Sequence, residues 1–206
     1  MRCFVLLAFT VAGAAAQPIG FGLKLGAPLT DAVSLGTGNG TLTGTVTKFT
    51  IGPMVELRLP FGVAVEADFL YRRVSGTYNS SGSFSADANG NQWSVPVLLK
   101  YRFAFPIVRP YLEAGPSFRW LTNVNHSYTC ATNLCTAIAP PQFSTNSSGV
   151  GLTLGGGVEV KLLLIRISPE LRYTRWGSEA FSIQSGGTTF LQTNQNQAEF
   201  LVGISF

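Results

Sequence analysis

Over residues 195–206 apolar and polar side chains alternate without losing phase. Ala198, Phe200, Val202, Ile204 and Phe206 share one parity, while Gln195, Gln197, Glu199, Leu201, Gly203 and Ser205 share the other. A side-chain period of two belongs to a β-strand, and this one has one apolar and one mostly polar face. The pattern recurs in seven earlier segments, at residues 19–25, 49–59, 63–71, 93–103, 112–120, 150–160 and 165–173. No segment sustains a helical period. The expected fold class is all-β.

The spacing of the eight segments predicts how they are joined. With starts near residues 19, 47, 63, 92, 110, 149, 165 and 195, short and long intervals alternate. The short connections, at residues 60–62, 104–108 and 162–164, read as tight turns. The long ones, at residues 27–46, 75–90, 122–148 and 177–193, are rich in Gly, Ser, Thr and Asn and read as loops. Short turns at one end and long loops at the other are a property of antiparallel up-and-down transmembrane barrels. Pro53, Pro96, Pro116 and Pro169 fall inside these segments. Proline cannot donate to a ladder, so bulges or strand-end positions are expected there.

An eight-stranded barrel can also be soluble, with an apolar ligand inside, as lipocalins are. The distribution of charge separates the two cases. Ten of the 14 Lys and Arg and seven of the 10 Asp and Glu lie on the parity opposite the apolar one. The cations are Lys24, Lys48, Arg58, Arg72, Lys100, Arg102, Arg119, Lys161, Arg166 and Arg172. The acids are Glu56, Glu66, Asp68, Glu113, Glu159, Glu170 and Glu199. The apolar parity carries so many large residues, Phe49, Phe69, Trp93, Tyr101 and Trp120 among them, that it would overfill an eight-stranded interior. The apolar face is therefore assigned to lipid. The charged face is assigned to the lumen, as a salt-bridge network in which nearly balanced charges find partners. Tyr71, Trp93, Trp120 and Tyr173 fall at the loop ends of their strands, Phe103 and Phe206 at the turn ends. They are assigned to the two membrane interfaces. Composition agrees: only 12% of residues are charged, against about a quarter in soluble domains, and beyond the N-terminus no apolar run approaches the roughly 20 residues of a spanning helix.

Residues 1–16 read as a secretory signal, with Arg2 before a short apolar stretch and cleavage expected near Ala16. Residues 17–206 then form one barrel domain. Export leaves Cys130 and Cys135, whose spacing predicts a disulfide pinning the third long loop. No metal site is expected, because two thiolates and the distant His126 do not complete a tetrahedron. No cofactor motif is present: residues 155–157 are a glycine run without the helix or Lys-Ser/Thr of a phosphate loop. His126 and Ser127 are adjacent in the longest loop and do not make a positioned base and nucleophile. The net charge of +4 is largely internal, which excludes nucleic acid as a partner.

Gly52-Pro53, Gly115-Pro116, Pro169-Glu170-Leu171-Arg172-Tyr173 and the alternation ending in Phe206 resemble small bacterial outer-membrane β-barrel proteins of the OmpA-like and PorT-like group. The resemblance spans the mature chain. It implies the bacterial outer membrane, with outer-membrane lipid as partner and the barrel-assembly machinery engaging the C-terminal strand. It implies no particular activity. A non-enzymatic barrel with a structural, anchoring or surface-interaction role through four external loops, toward a ligand the sequence does not name, is the expected function. A narrow porin-like pore and an outer-leaflet lipid-modifying enzyme are the alternatives.

Overall fold

The period-two alternation is realised as strand almost throughout. The computed structural model describes residues 19–30, 33–35, 41–42, 49–80, 84–105, 107–130, 142–145, 148–162, 165–178, 181–185 and 188–206. The strands are β1 (Ile19–Pro28), β2 (Val33–Leu35), β3 (Thr41–Leu42), β4 (Thr50–Arg58), β5 (Val63–Asp68), β6 (Leu70–Ser80) and β7 (Phe84–Arg102). They continue as β8 (Val108–Cys130), β9 (Gln142–Thr145), β10 (Ser148–Leu162), β11 (Ile165–Trp176), β12 (Phe181–Ser185), β13 (Thr188–Thr193) and β14 (Asn196–Ser205).

Nine of these runs make the eight strands of a closed antiparallel barrel. β5 and β6 are one barrel strand interrupted at Phe69, whose N–H still donates to the Pro53 carbonyl across the gap at 2.9 Å. Closure is made by β1, which pairs with β4 on one side and β14 on the other. Leu23 thus lies opposite both Pro53 and Ile204. A closed wall leaves no open edge, the condition for a sheet to cross hydrocarbon.

The two faces separate by burial. On β7 Leu98 is wholly buried while Leu99 beside it is 59% exposed, and the same step repeats around the barrel. The inward face is mostly small, polar or charged, with a few apolar residues such as Leu70, Leu98 and Leu201, and the outward face is Leu, Ile, Val and aromatic. From Trp93 on β7 to Phe103, one residue past its end, the outward residues cover ten steps. At roughly 3.3 Å per residue and a tilt of about 40°, that is about 25 Å of height, the apolar band of a transmembrane barrel. No helix among the described residues is long and apolar enough to cross a membrane. The helical content among them is a 3-10 turn at Pro60–Gly62.

Two expectations are corrected. First, the four in-strand prolines sit in register, at neither bulges nor strand ends. Pro96 lies opposite Ser117 and the register is unchanged at Leu99 opposite Ala114. Pro169 lies opposite Val202 inside an unbroken β11–β14 ladder. A missing donor removes one rung without moving the strand. Where the pair is Gly-Pro, the glycine admits a close approach: a Cβ on Gly52 or Gly115 would strike the carbonyl oxygen of Phe69 or Val97 on the next strand. Among the described residues, the one register shift in the barrel wall lies between Asn89 and Asn91, across from Asn123 with φ of 51°.

Second, much of what the composition assigns to loops is strand. β6 and β7 pair out to Ser80 opposite Phe84, and β7 and β8 out to Phe84 opposite Cys130. Short strands from the other long connections form a separate four-stranded sheet in the order β2-β13-β12-β9.

Candidate functional site

The inward side chains are stacked in three levels along the lumen. The middle level is the most enclosed. Lys24 comes from β1, Glu66 and Asp68 from β5, Lys100 from β7, Glu113 from β8, and Glu170 and Arg172 from β11. The side chains of all seven are no more than 2% exposed. Arg172 reaches Asp68 at 2.5 Å, Glu113 at 2.6 Å, Glu66 at 2.7 Å and Glu170 at 3.0 Å. Lys24 pairs with Glu66, with Glu170 at 2.7 Å and with Asp68 at 3.3 Å. Lys100 pairs with Glu66 and lies 3.5 Å from Glu113 and 3.7 Å from Glu56. Each strand contributes the group because its parity points inward, and facing strands bring opposite charges together across the narrow lumen. Such a set is favourable only as a set, since removing one partner leaves buried charge uncompensated.

Toward the turn end Arg102 pairs with Glu56, and with Glu159 at 2.9 Å. Arg58 pairs with Glu56 at 2.7 Å and donates to the Phe206 carbonyl at 3.3 Å. Arg166 is half-buried, and Lys161 is exposed at the end of β10. Neither is in an ion pair among the described residues. Toward the loop end Arg72 pairs with Glu199 at 2.7 Å and donates to Gln197 at 2.8 Å. Arg119 stacks over the Trp176 ring, 4.6 Å from its centroid.

Between the middle and outer levels lies a cavity of about 20 Å³, bordered by Gln92, Ser117, Thr153, Thr174, Trp176 and Gln197 among others. That volume holds a water or two. Oxygen atoms of Glu66, Glu113 and Glu170 converge closely enough to hold a metal ion, but they already face the ammonium and guanidinium groups of Lys24, Lys100 and Arg172. The chain's own cations fill the place of an ion there.

His126 and Ser127 lie in β8, opposite Ala88 and Asp87, and not in a loop as their surroundings suggest. The hairpin of β7 and β8 carries them beyond the membrane. Residues 1–16 and Cys135 lie outside the described residues. Cys130 is the last residue of β8.

The outward aromatics gather at two heights. Trp93 packs against Phe69 at 5.0 Å and Tyr71 at 4.9 Å between ring centroids, and lies across the ladder from both Tyr71 and Trp120. The Tyr71 hydroxyl donates to Asn91 at 3.0 Å and that of Tyr173 to Asn196 at 2.7 Å. Phe103, edge-on to Tyr101 at 5.2 Å, and Phe206 stand exposed at the turn end. A ring in hydrocarbon with a hydroxyl tied to a polar neighbour suits the interface of a bilayer.

The sequence matches the family model described as the outer membrane protein beta-barrel domain over residues 3–206. The chain belongs to this family. Membership implies the bacterial outer membrane, to which the apolar outer face is suited. Among solved structures the barrel is similar to the outer membrane protein OprG of Pseudomonas aeruginosa, at 13% identity and a TM-score of 0.60, covering 91% of this chain and 92% of that one. It is similar to Neisserial surface protein A at 14% identity and a TM-score of 0.53, covering 93% and 98%. For the outer membrane protein W of E. coli the values are 16% identity and a TM-score of 0.50, covering 93% and 97%. At these identities the likeness is one of fold. No curated protein matches the sequence.

Two lumen residues of this outer-membrane barrel escape a reading of charges alone. Tyr111 is buried, donates from its hydroxyl to Glu170 at 2.7 Å, and holds Lys100 4.3 Å above its ring. Trp176 is buried beside Arg119. Extending the inward parity from Glu113 back to Tyr111, and from Thr174 on to Trp176, is the signal that finds both.

Proposed function

We propose that this outer-membrane barrel is a non-enzymatic integral protein that acts at the cell surface through its extramembrane segments, with a lumen closed to solutes. The observation that carries the reading is the middle level. Seven charged side chains, each at most 2% exposed, join across the lumen through Arg172 and the two lysines. Eight strands leave an interior that side chains can fill, and these fill it. The extended β6–β7–β8 ladder and the separate four-stranded sheet are the elements proposed for an anchoring or recognition role. The barrel is exported by the segment at residues 1–16, with cleavage near Ala16, and its C-terminal strand is the element the assembly machinery engages.

Purified protein refolded into planar bilayers is expected to show negligible conductance. Stable openings of porin size would make the charged levels the lining of a pore and overturn the closed-lumen reading.

Cys130 and Cys135 are proposed to form a disulfide in the third external connection. A thiol count on the mature protein, denatured without reductant, is expected to be zero, and two reactive thiols would refute the bond. Because the ring is small and outside the membrane, the Cys130→Ser/Cys135→Ser variant is expected to keep the folded gel mobility of the parent barrel.

A further inference from the structure

We propose that Arg119 anchors a binding site for a small oxyanion, a phosphate, sulfate or carboxylate group, at the outer end of the lumen. Arg119 is 1% exposed, as enclosed as the middle-level cations, yet it meets no carboxylate among the described residues. One N–H donates to the Ser178 carbonyl, and the guanidinium plane lies on Trp176. Its Nε and Nη1 have no acceptor among the described residues. A guanidinium offers five donors and cannot shed its charge, so a buried one with open N–H groups is a vacant counterpart for an anion.

The place is built rather than incidental. Gly149 leaves room for the guanidinium: a Cβ there would come within 2.9 Å of Arg119 Nε. Trp176 forms the floor and is itself held, its indole N–H donating to Gln197 at 2.9 Å. The same Gln197 oxygen accepts from Arg72 at 2.8 Å, so a chain of contacts links Arg119, Trp176, Gln197 and Arg72. Arg72 Nε and Thr50 Oγ1, also buried, have no partner among the described residues either. The open donor groups therefore gather at the outer level, whereas the open acceptors, Asp68 Oδ1 and Glu113 Oε2, belong to the middle one.

Charge points the same way. Among the described residues of the outer level two arginines face one acid, Glu199, which Arg72 already holds. The surplus there is one positive charge, and an oxyanion supplies both the missing charge and the acceptors. The cavity beside Trp176, about 20 Å³, is bordered by Arg172, Gln197 and Glu199 and not by Arg119, and it takes water and not a solute. The strand wall separates the site from lipid, so the ligand is a free anion arriving from the outside.

The test uses selenate, an oxyanion visible by its anomalous scattering. The chain has three tryptophans, and the Trp93→Phe/Trp120→Phe variant leaves Trp176 as the sole reporter. Refolded in detergent and titrated at constant ionic strength, it is expected to show a saturable change in fluorescence. Arg119→Gln in that background should weaken the response roughly 30-fold or more, the loss expected when one member of a buried charge pair is truncated. Lys161→Gln, an exposed charge, should leave it unchanged. Crystals of the unsubstituted protein grown with selenate should carry an anomalous peak within hydrogen-bond reach of Arg119 Nε or Nη1, a reading that holds even if Arg119→Gln fails to fold. An unsaturable response, an equal response in Arg119→Gln, or a crystal structure with water or the chain's own carboxylate on Arg119 would overturn the proposal.

Discussion

Arg172→Met is expected to destabilise the barrel by about 3–5 kcal/mol, the range found when one partner of a buried ion pair is removed. Arg172 is the hub of the middle level, within 3.0 Å of Glu66, Asp68, Glu113 and Glu170. Without it Lys24 and Lys100 face four acids, in a space with no room for bulk water. Urea unfolding of the barrel in lipid vesicles, followed by tryptophan fluorescence, reads the change. Adding Glu113→Gln should recover part of the loss, because the two residues are in contact and their effects are not independent. A loss below about 1 kcal/mol, typical of exposed pairs, would mean that the lumen is hydrated and the network dispensable.

The second large effect belongs to the outer face. Leu99→Arg places a charge near the bilayer midplane and is expected to cost about 2–4 kcal/mol, whereas Phe103→Arg, close to the turn-side interface, should cost about 0–1 kcal/mol. Leu99 on β7 and Phe103 just beyond its end both face outward, so the contrast isolates depth from face. Leu98→Arg is the inward comparison. Leu98 lies opposite Glu66 on β5, and an arginine there crowds the lumen without meeting hydrocarbon. Its cost should change when Glu66→Gln is added, and that of Leu99→Arg should not. Equal costs at Leu99 and Phe103 in the same unfolding assay would contradict a lipid-facing β7.

What the sequence makes legible here is parity. The alternation around Lys100, with Leu99 and Tyr101 on the other side, names the lumen residue before any strand is paired. Eight such runs with alternating connection lengths imply the closed barrel. Which charges meet is a different matter. Arg172 finds Asp68 and Glu66 across the lumen because of the stagger between strands, and stagger leaves no local trace in sequence. The prolines mislead for a related reason: a ladder can lose the rung at Pro96 or Pro169 and keep its register. The outer halves of β7 and β8 read as loop because strands that stand clear of the membrane need no apolar face, so residues such as Asn89, Asn91 and Asn125 carry no alternation. Arg119 is legible as an inward cation. Its lack of a carboxylate partner among the described residues is visible only once Trp176 and Gly149 are placed around it.

The central claim is that one apolar face meets lipid while the other encloses charge. It is tested most directly by scanning β7 with single cysteines at residues 93–103, in the Cys130→Ser/Cys135→Ser background, each spin-labelled and reconstituted into bilayers. Labels at positions 93, 95, 97, 99, 101 and 103 should be accessible to oxygen dissolved in lipid, with the strongest signal at 97 and 99, and labels at 94, 96, 98, 100 and 102 should be shielded from it. The opposite phase, with the odd positions enclosed and the even positions open to a water-soluble relaxant, or the absence of any alternation, would contradict the account.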